Sequence, residues 1–386
     1  MAKKLLKLLI ISPYPIFPLK AGGGKIRIYE ISQELAKLDL EITVLTPISF
    51  AQHQSLTINS NLKITVIRYP FLIPFLFTDR PFPYQFLVSF HPGYRFKIMS
   101  YLRTHDVIQF EHASFADLVD FVQADKIVIY DAHNVEYDYV SSECQNNTIR
   151  ALTEKRIFCL ENKLVQRANG IMVCSEEDRL RLFCLYKIKK TACIIAPNGA
   201  HPIITPHQHQ MTDGNNVFQG IKQFKHRAIF SGSDVVHNRK AVHFIINYLA
   251  PQLRNECAFI INGPCGKRFQ HIKKSNIFFD VNSKSVSKYA EICTVGLNPV
   301  MQGSGTSLKV LDYLVCGLPI ISTEFGMRGY HDLRDFSIIC PIEQFSEAIR
   351  DGFLLPNGRE GILEKYYWSN IARKIRNFYV SLVQFT

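Results

Sequence analysis

Apolar residues in this chain come in two rhythms. Short, mostly unbroken apolar runs occur at 5–11, 42–45, 107–110, 127–130, 171–174 and 193–196. Ile28, Ile31, Leu35 and Leu38 instead recur every three or four positions. Unbroken runs suit strands buried on both faces, and the wider spacing suits helices that cover them. A strand, a helix and a strand within residues 5–45 make a βαβ unit and predict a parallel sheet. The turn-forming stretch from Ser12 through Gly22, Gly23 and Gly24 separates the first strand from its helix. The same alternation resumes at 228–230, 259–261, 277–279, 295–297, 320–321 and 338–339, with helical patterns at 240–253 and 308–315.

Between the two series, residues 201–225 are rich in His, Gln, Asn and Pro and lack apolar periodicity, which reads as a linker. A last helix is expected over 370–383, with Ser369 as its N-cap. The pattern therefore predicts an α/β protein with two open parallel-sheet domains, 1–200 and 226–366. A terminal segment, 367–386, is expected to pack back on the first. Paired α/β domains predict a ligand site in a cleft between them.

Composition narrows the partners. The 386 residues are 47% hydrophobic, which excludes a disordered chain, and 45 Lys and Arg against 33 Asp and Glu give +12. That excess favours an anionic partner: nucleic acid, an acidic membrane face or a phosphate-bearing substrate. The basic residues are dispersed and no nucleic-acid recognition motif occurs, so no nucleic acid is expected. Lys7 interrupts the first apolar run, and no stretch approaches the roughly 18 apolar residues of a spanning helix. The expected location is cytoplasmic. None of the ten cysteines forms a C-x-x-C pair, and most, such as Cys159, Cys174, Cys193 and Cys340, sit in apolar runs. They read as buried thiols.

From Pro81 to His105 there is no Asp or Glu, while Arg95, Lys97 and Arg103 interleave with Phe82, Tyr84, Phe86, Phe90, Tyr94, Phe96 and Tyr101. Such a segment suits an acceptor or a peripheral contact with anionic lipid heads. The favoured reading is plainer: aromatic core helices with solvated basic faces.

The strongest motif is the loop that runs from Pro299 through Gly303, Ser304, Gly305 and Thr306 to Asp312. A strand there ends in a glycine-rich turn that opens a helix, aiming free N–H groups and the positive helix end at a phosphate. Asp312, eight residues after Ser304, suits sugar hydroxyls. Gly263-Pro264-Cys265-Gly266-Lys267 is no P-loop, the first βα turn lacks G-x-G-x-x-G, and no D-x-D holds a nucleotide through metal. Glu111 and His112 follow one strand and His133 the next, at the strand ends where open α/β sheets bind ligands.

Residues 299–323 together resemble the donor-site segment of retaining glycosyltransferases of family 4, the group 1 enzymes with the two-domain GT-B fold. Supporting pieces follow in order. They are Pro13-Tyr14-Pro15 with Gly23-Gly24-Lys25-Ile26-Arg27, then Asp131-Ala132-His133-Asn134-Val135-Glu136, then Cys174-Ser175-Glu176-Glu177-Asp178. Ala196-Pro197-Asn198-Gly199 and Phe230-Ser231-Gly232-Ser233 with Asn238 and Lys240 complete the set.

The resemblance implies transfer of a sugar from a nucleotide diphosphate sugar to an acceptor hydroxyl, with retention and without a metal or other cofactor. The acceptor would be a glycan, a lipid-linked sugar, a polysaccharide or a small molecule. It places Asp312 on the ribose, and Ser304, Gly305 and Thr306 at the sugar and diphosphate. Lys240, with Arg239 as competitor, becomes the diphosphate cation behind Gly232, and Gly23 and Gly24 lie near the reacting centre. The family's E-x7-E pattern would put its first acid at Ser304, so the loop resembles that of a G-S-G-T branch, without the carboxylate at that position. Glu111, which falls roughly where many relatives carry a catalytic His, His112 and His133 are the catalytic candidates. A nucleotide-sugar-binding protein without turnover, or a nucleotide-sugar epimerase, are the alternatives on the same fold.

Overall fold

The computed structural model describes residues 5–16, 22–48, 54–68, 88–143, 147–189, 191–202, 220–283, 285–303 and 305–384. It divides into two compact units, residues 1–197 with 368–386, and residues 198–367.

The first unit holds an eight-stranded sheet of β1 (Leu6–Ile11), β2 (Leu40–Ile48), β3 (Gln54–Asn59), β4 (Leu62–Arg68), β5 (Val107–Phe110), β6 (Ile127–Ala132), β7 (Gly170–Val173) and β8 (Ala192–Ile195). Its order is β3-β4-β2-β1-β5-β6-β7-β8, and every pairing is parallel except β3 with β4. That hairpin escaped the sequence reading, although Leu62, Ile64 and Val66 alternate cleanly after the Asn59-Ser60-Asn61 turn. Helices α1 (Gly23–Leu35), α2 (Pro92–Leu102), α3 (Glu136–Glu143), α4 (Asn147–Arg167) and α5 (Glu176–Tyr186) belong to the same unit.

The second unit is a six-stranded, fully parallel sheet. Its strands are β9 (His226–Ser231), β10 (Cys257–Asn262), β11 (Ile277–Asp280), β12 (Val295–Asn298), β13 (Ile320–Ser322) and β14 (Ser337–Ile339), in the order β11-β10-β9-β12-β13-β14. Helix α6 (Val236–Phe244) runs on through a π turn at Ile245–Leu249, and α7 (Leu308–Val315) follows β12. One close approach sets the position of α7. A Cβ at Gly296 would lie 2.4 Å from the Tyr313 ring, so only glycine on β12 admits that ring. The Tyr313 hydroxyl then donates to Leu297 O at 3.1 Å and accepts from Ser231 N at 2.9 Å, joining α7 to β9 and β12.

Helix α8 (Trp368–Gln384) belongs to the first unit, where it packs on α1 and its Phe378 lies over Gly170. It begins two residues before the expected start, with Tyr367 extended before it, so Ser369 lies inside the helix and is not its N-cap. The linker expected at 201–225 falls mostly on 203–219, outside the described residues, and its last residues already enter a helical turn. The described cysteines form no disulfide, but not all are buried as expected: Cys159 is exposed on the outer face of α4, and Cys193 and Cys340 are half-buried.

Candidate functional site

Each sheet has one place where the strand order reverses direction, between β1 and β5 in the first unit and between β9 and β12 in the second. Loops leave in opposite directions at such a point and open a crevice at the carboxyl ends of the strands. The motifs picked out from sequence lie at these two places.

In the first unit Glu111 follows β5 and His133 follows β6, and the two meet: His133 Nε2 lies 2.7 Å from Glu111 Oε2, both buried. Asp131, the penultimate residue of β6, takes a two-pronged contact from Arg27 on the buried face of α1, at 2.9 and 3.3 Å. Arg27 also donates to Pro197 O at 3.0 Å. Burial opposes the charge of Arg27, but Asp131, with help from Cys174 and Glu111, outweighs it and the guanidinium pKa lies above its ordinary value. Burial and the Asp131 carboxylate push Glu111 upward, while His133 and Gln109 hold it back. Gln109 on β5 donates to Glu111 and accepts from the Tyr379 hydroxyl, so α8 is wired to the same cluster.

Glu111, Asp131 and His133 offer ligand atoms within 4.8 Å of one another, a spacing that a metal could use. Here the guanidinium of Arg27 already supplies the cation that Asp131 needs. His133 Nδ1 has no hydrogen-bond partner among the described residues. It faces Gly24, where a Cβ would come within 3.0 Å of it, and its ring stacks on Tyr14 at 6.1 Å. Gly23 and Gly24 are the first residues of α1 and not part of the preceding turn as expected, so the helix start itself approaches His133.

His112 is placed differently. Its Nδ1 accepts from Ser114 N at 3.0 Å and also contacts the Ser114 hydroxyl, and its Nε2 lies 2.7 Å from Glu136 Oε2. Both ring nitrogens are thus engaged inside the fold, as the cap of a 3-10 turn at Ala113–Phe121. Behind it Glu161 of α4 accepts from Tyr130 and Tyr186 hydroxyls, both at 2.7 Å, and from Glu136 N at 2.9 Å and Tyr137 N at 3.2 Å. Burial and the neighbouring Glu136 carboxylate push Glu161 up to about 7 despite these donors.

In the second unit the loop after β12 contains Gly303 at φ 138° and Gly305 at φ 68°, a left-handed backbone that glycine adopts without strain. Ser304 lies outside the described residues. Thr306 accepts from Asn198 at 2.9 Å, which anchors the Pro-Asn-Gly turn to this loop. Helix α7 starts at Leu308, and its N-cap Ser307 makes no side-chain cap bond. Asp312 therefore sits just past the first turn, with its side chain exposed. Lys240 is exposed on α6, and Arg239 is paired with Asp234 at 2.9 Å.

The cation that the sequence reading missed is Lys309. It is 8% exposed, donates to Asn238 Oδ1 at 3.0 Å, and lies over the Phe230 ring at 4.8 Å. Asn238 in turn fills the space beside Gly232, where a Cβ would come within 2.7 Å of its amide, and donates to Ser233 O. No carboxylate pairs with Lys309 among the described residues. Burial depresses its pKa to about 8, although Cys265 and Asp312 oppose the shift. A lysine inside the apolar face formed by Val310, Leu311 and Leu314 was the signal available in the sequence.

Two parallel α/β units with their candidate residues at the switch points define the GT-B fold. Residues 225–354, within the second unit, match the family model described as "Glycosyl transferases group 1". A comparison with curated protein sequences finds no significant match. Solved structures of similar fold include trehalose-6-phosphate from E. coli bound with UDP-2-fluoro glucose. It is 11% identical, with TM-score 0.66 over 98% of this chain and 99% of that one. They also include Anabaena HepE in complex with UDP-glucose, at 12%, 0.67, 97% and 100% respectively. An α,α-trehalose-phosphate synthase (UDP-forming) from Burkholderia xenovorans, in complex with glucose-6-phosphate, gives 13%, 0.65, 98% and 99%.

Proposed function

We propose that the protein transfers a sugar from a nucleotide diphosphate sugar to an acceptor hydroxyl, with the donor held by the second unit. The observation that carries this reading is Lys309, a buried ammonium without a carboxylate partner among the described residues, beneath the loops that follow β9 and β12. Burying a charge is costly unless it is paired, so such a cation suits a ligand that brings its own negative charge. The Gly303–Gly305 turn and the uncapped start of α7 add backbone donors of the same polarity. The match of residues 225–354 to group 1 glycosyltransferases supports the same assignment.

The costly event in such a transfer is departure of a charged diphosphate. Preorganised N–H groups at 305–308 and the field of Lys309 stabilise that developing charge. Asp312, exposed on α7, is assigned to the ribose hydroxyls, and Ser304, Gly305 and Thr306 to the sugar and diphosphate. Gly232 admits Asn238, which holds the Lys309 ammonium in place for the phosphates. Lys240 remains available as an outer cation. In the first unit His133 is the candidate catalytic group because its Nδ1 is unpartnered, with Glu111 and the Arg27–Asp131 pair positioning it. Retention of configuration belongs to the same reading.

The test is calorimetry with a panel of nucleoside diphosphates and nucleotide sugars, beginning with UDP because solved proteins of this fold bind UDP and UDP-glucose. Binding of one diphosphate class by the wild type and marked weakening in Asp312→Ala is the expected result. Failure of every nucleotide to bind folded protein refutes the proposal.

A further inference from the structure

We propose that the first unit docks on an anionic lipid surface through a basic and aromatic face built from α2, the 3-10 turn at Ala113–Phe121 and α4. Two spacings in the sequence separate the faces of α2. Tyr94, Ile98 and Leu102 are buried, while Phe96, Met99 and Arg103 follow one another along the opposite, exposed side. Phe96 is 75% exposed, too much for a residue whose purpose is packing within this fold. The expectation of core helices with solvated basic faces thus holds for one side of α2 only, since the other side presents aromatic and apolar groups. Phe82, Tyr84 and Phe86 of the same segment lie outside the described residues.

The neighbouring elements continue the face. The Arg156 guanidinium of α4 lies over the exposed ring of Phe90 at 4.5 Å, joining α4 to the segment that leads into α2. Arg95 pairs with Asp117 at 2.6 Å, and Lys163 pairs with Asp120, so the turn between the helices is fastened to both. Phe121 closes that turn at 56% exposure, and Leu152 stands on α4 at 66%. The charge is basic on balance, with Asp117 and Asp120 of the turn taken up by those two pairs. Helix α2 contains Arg95 and Lys97 and no acid, and α4 contains five basic residues against Glu154 and the buried Glu161.

Exposed aromatics interleaved with cations suit the interface of a membrane carrying anionic lipid: rings enter the headgroup layer and cations meet the phosphates. A second copy of the chain is a poorer occupant, because a two-fold contact would set this basic face against itself. No helix among the described residues is long and apolar enough to cross a membrane, so the attachment inferred is peripheral. The inference uses no residue of the donor site and stands or fails apart from the transfer reading.

The test is flotation of the full chain with phosphatidylcholine vesicles, with and without phosphatidylglycerol, at low and high salt. Two exposed pairs are changed, Phe96→Ser with Met99→Ser, and Arg103→Glu with Lys155→Glu, and thermal melting checks that each variant folds. Expected is binding to the phosphatidylglycerol vesicles alone, weakened by salt and by about tenfold or more in each variant. Four results overturn the inference: no binding to anionic vesicles, binding untouched by either pair, capture of a single-stranded oligonucleotide in place of vesicles, or a concentration-dependent dimer abolished by the Phe96 and Met99 changes.

Discussion

Replacing Lys309 with methionine separates a lysine kept for a ligand from one kept for the fold. Methionine preserves most of the stem against Phe230 and removes the ammonium. A depression of the pKa from 10.5 to about 8 means that the folded state bears the charge at a cost of about 3 kcal/mol relative to the unfolded chain. Against that gain stand the lost bond to Asn238, roughly 1 kcal/mol, and the unsatisfied Asn238 oxygen, about 1–3 kcal/mol. The free protein should therefore keep its stability within about 1 kcal/mol of the wild type. A charge-assisted contact contributes about 1.5–3 kcal/mol, so nucleoside diphosphate affinity should fall roughly 10- to 150-fold.

The pH profile has a defined sign. Between about 8 and 10.5 the folded lysine is neutral while the unfolded one still binds a proton, so wild-type stability rises with pH across this window. The Lys309→Met variant should lack that component, and wild-type diphosphate binding should weaken as pH passes about 8. Urea denaturation and calorimetry on both proteins supply the data. A variant destabilised by several kcal/mol with its nucleotide affinity intact would refute the argument.

Three further outcomes are expected. Arg27→Met leaves Asp131 as a buried charge without its guanidinium, which should cost about 3–5 kcal/mol of stability in urea melts; a loss under 1 kcal/mol contradicts the pairing. Glu161 is raised to about 7, so its contribution to stability is full below about 4.5 and is lost as pH rises through 7. The wild type should lose about 3 kcal/mol relative to Glu161→Gln across that window, and parallel stability curves would contradict it. Gly24→Ala should leave stability within about 1 kcal/mol, since alanine favours the helix. Its methyl crowds His133 Nδ1 and Tyr14, so turnover of nucleotide sugar should fall at least tenfold, an outcome that unchanged turnover would exclude.

Much of the fold was legible because its carriers are local. Apolar runs at 107–110 and 308–315 coincide with β5 and α7, since a strand buried on both faces and a helix with one apolar side each impose their period on the sequence. Glycine-rich turns at strand ends marked the loop after β12 for the same reason: the left-handed backbone at Gly303 and Gly305 restricts the residue type. The residues following β5 and β6 were found by their place at strand ends, before any knowledge of what they touch.

Their partners are non-local, and nothing in the local pattern could assign them. Arg27 reaches Asp131 across 104 positions, Tyr379 reaches Gln109 across 270, and Lys309 reaches Asn238 across 71. Sequence order says nothing of which strands neighbour which, whereas the crossovers that place β1 beside β5 and β9 beside β12 decide what converges. Burial then decides function within each cluster. Among the described residues it engages both nitrogens of His112, leaves Nδ1 of His133 open, and turns Lys309 from one of 45 basic residues into a buried cation without a carboxylate. Residue type and period belong to the chain itself; the dielectric around a charge and the identity of its neighbours exist only once the sheets have formed.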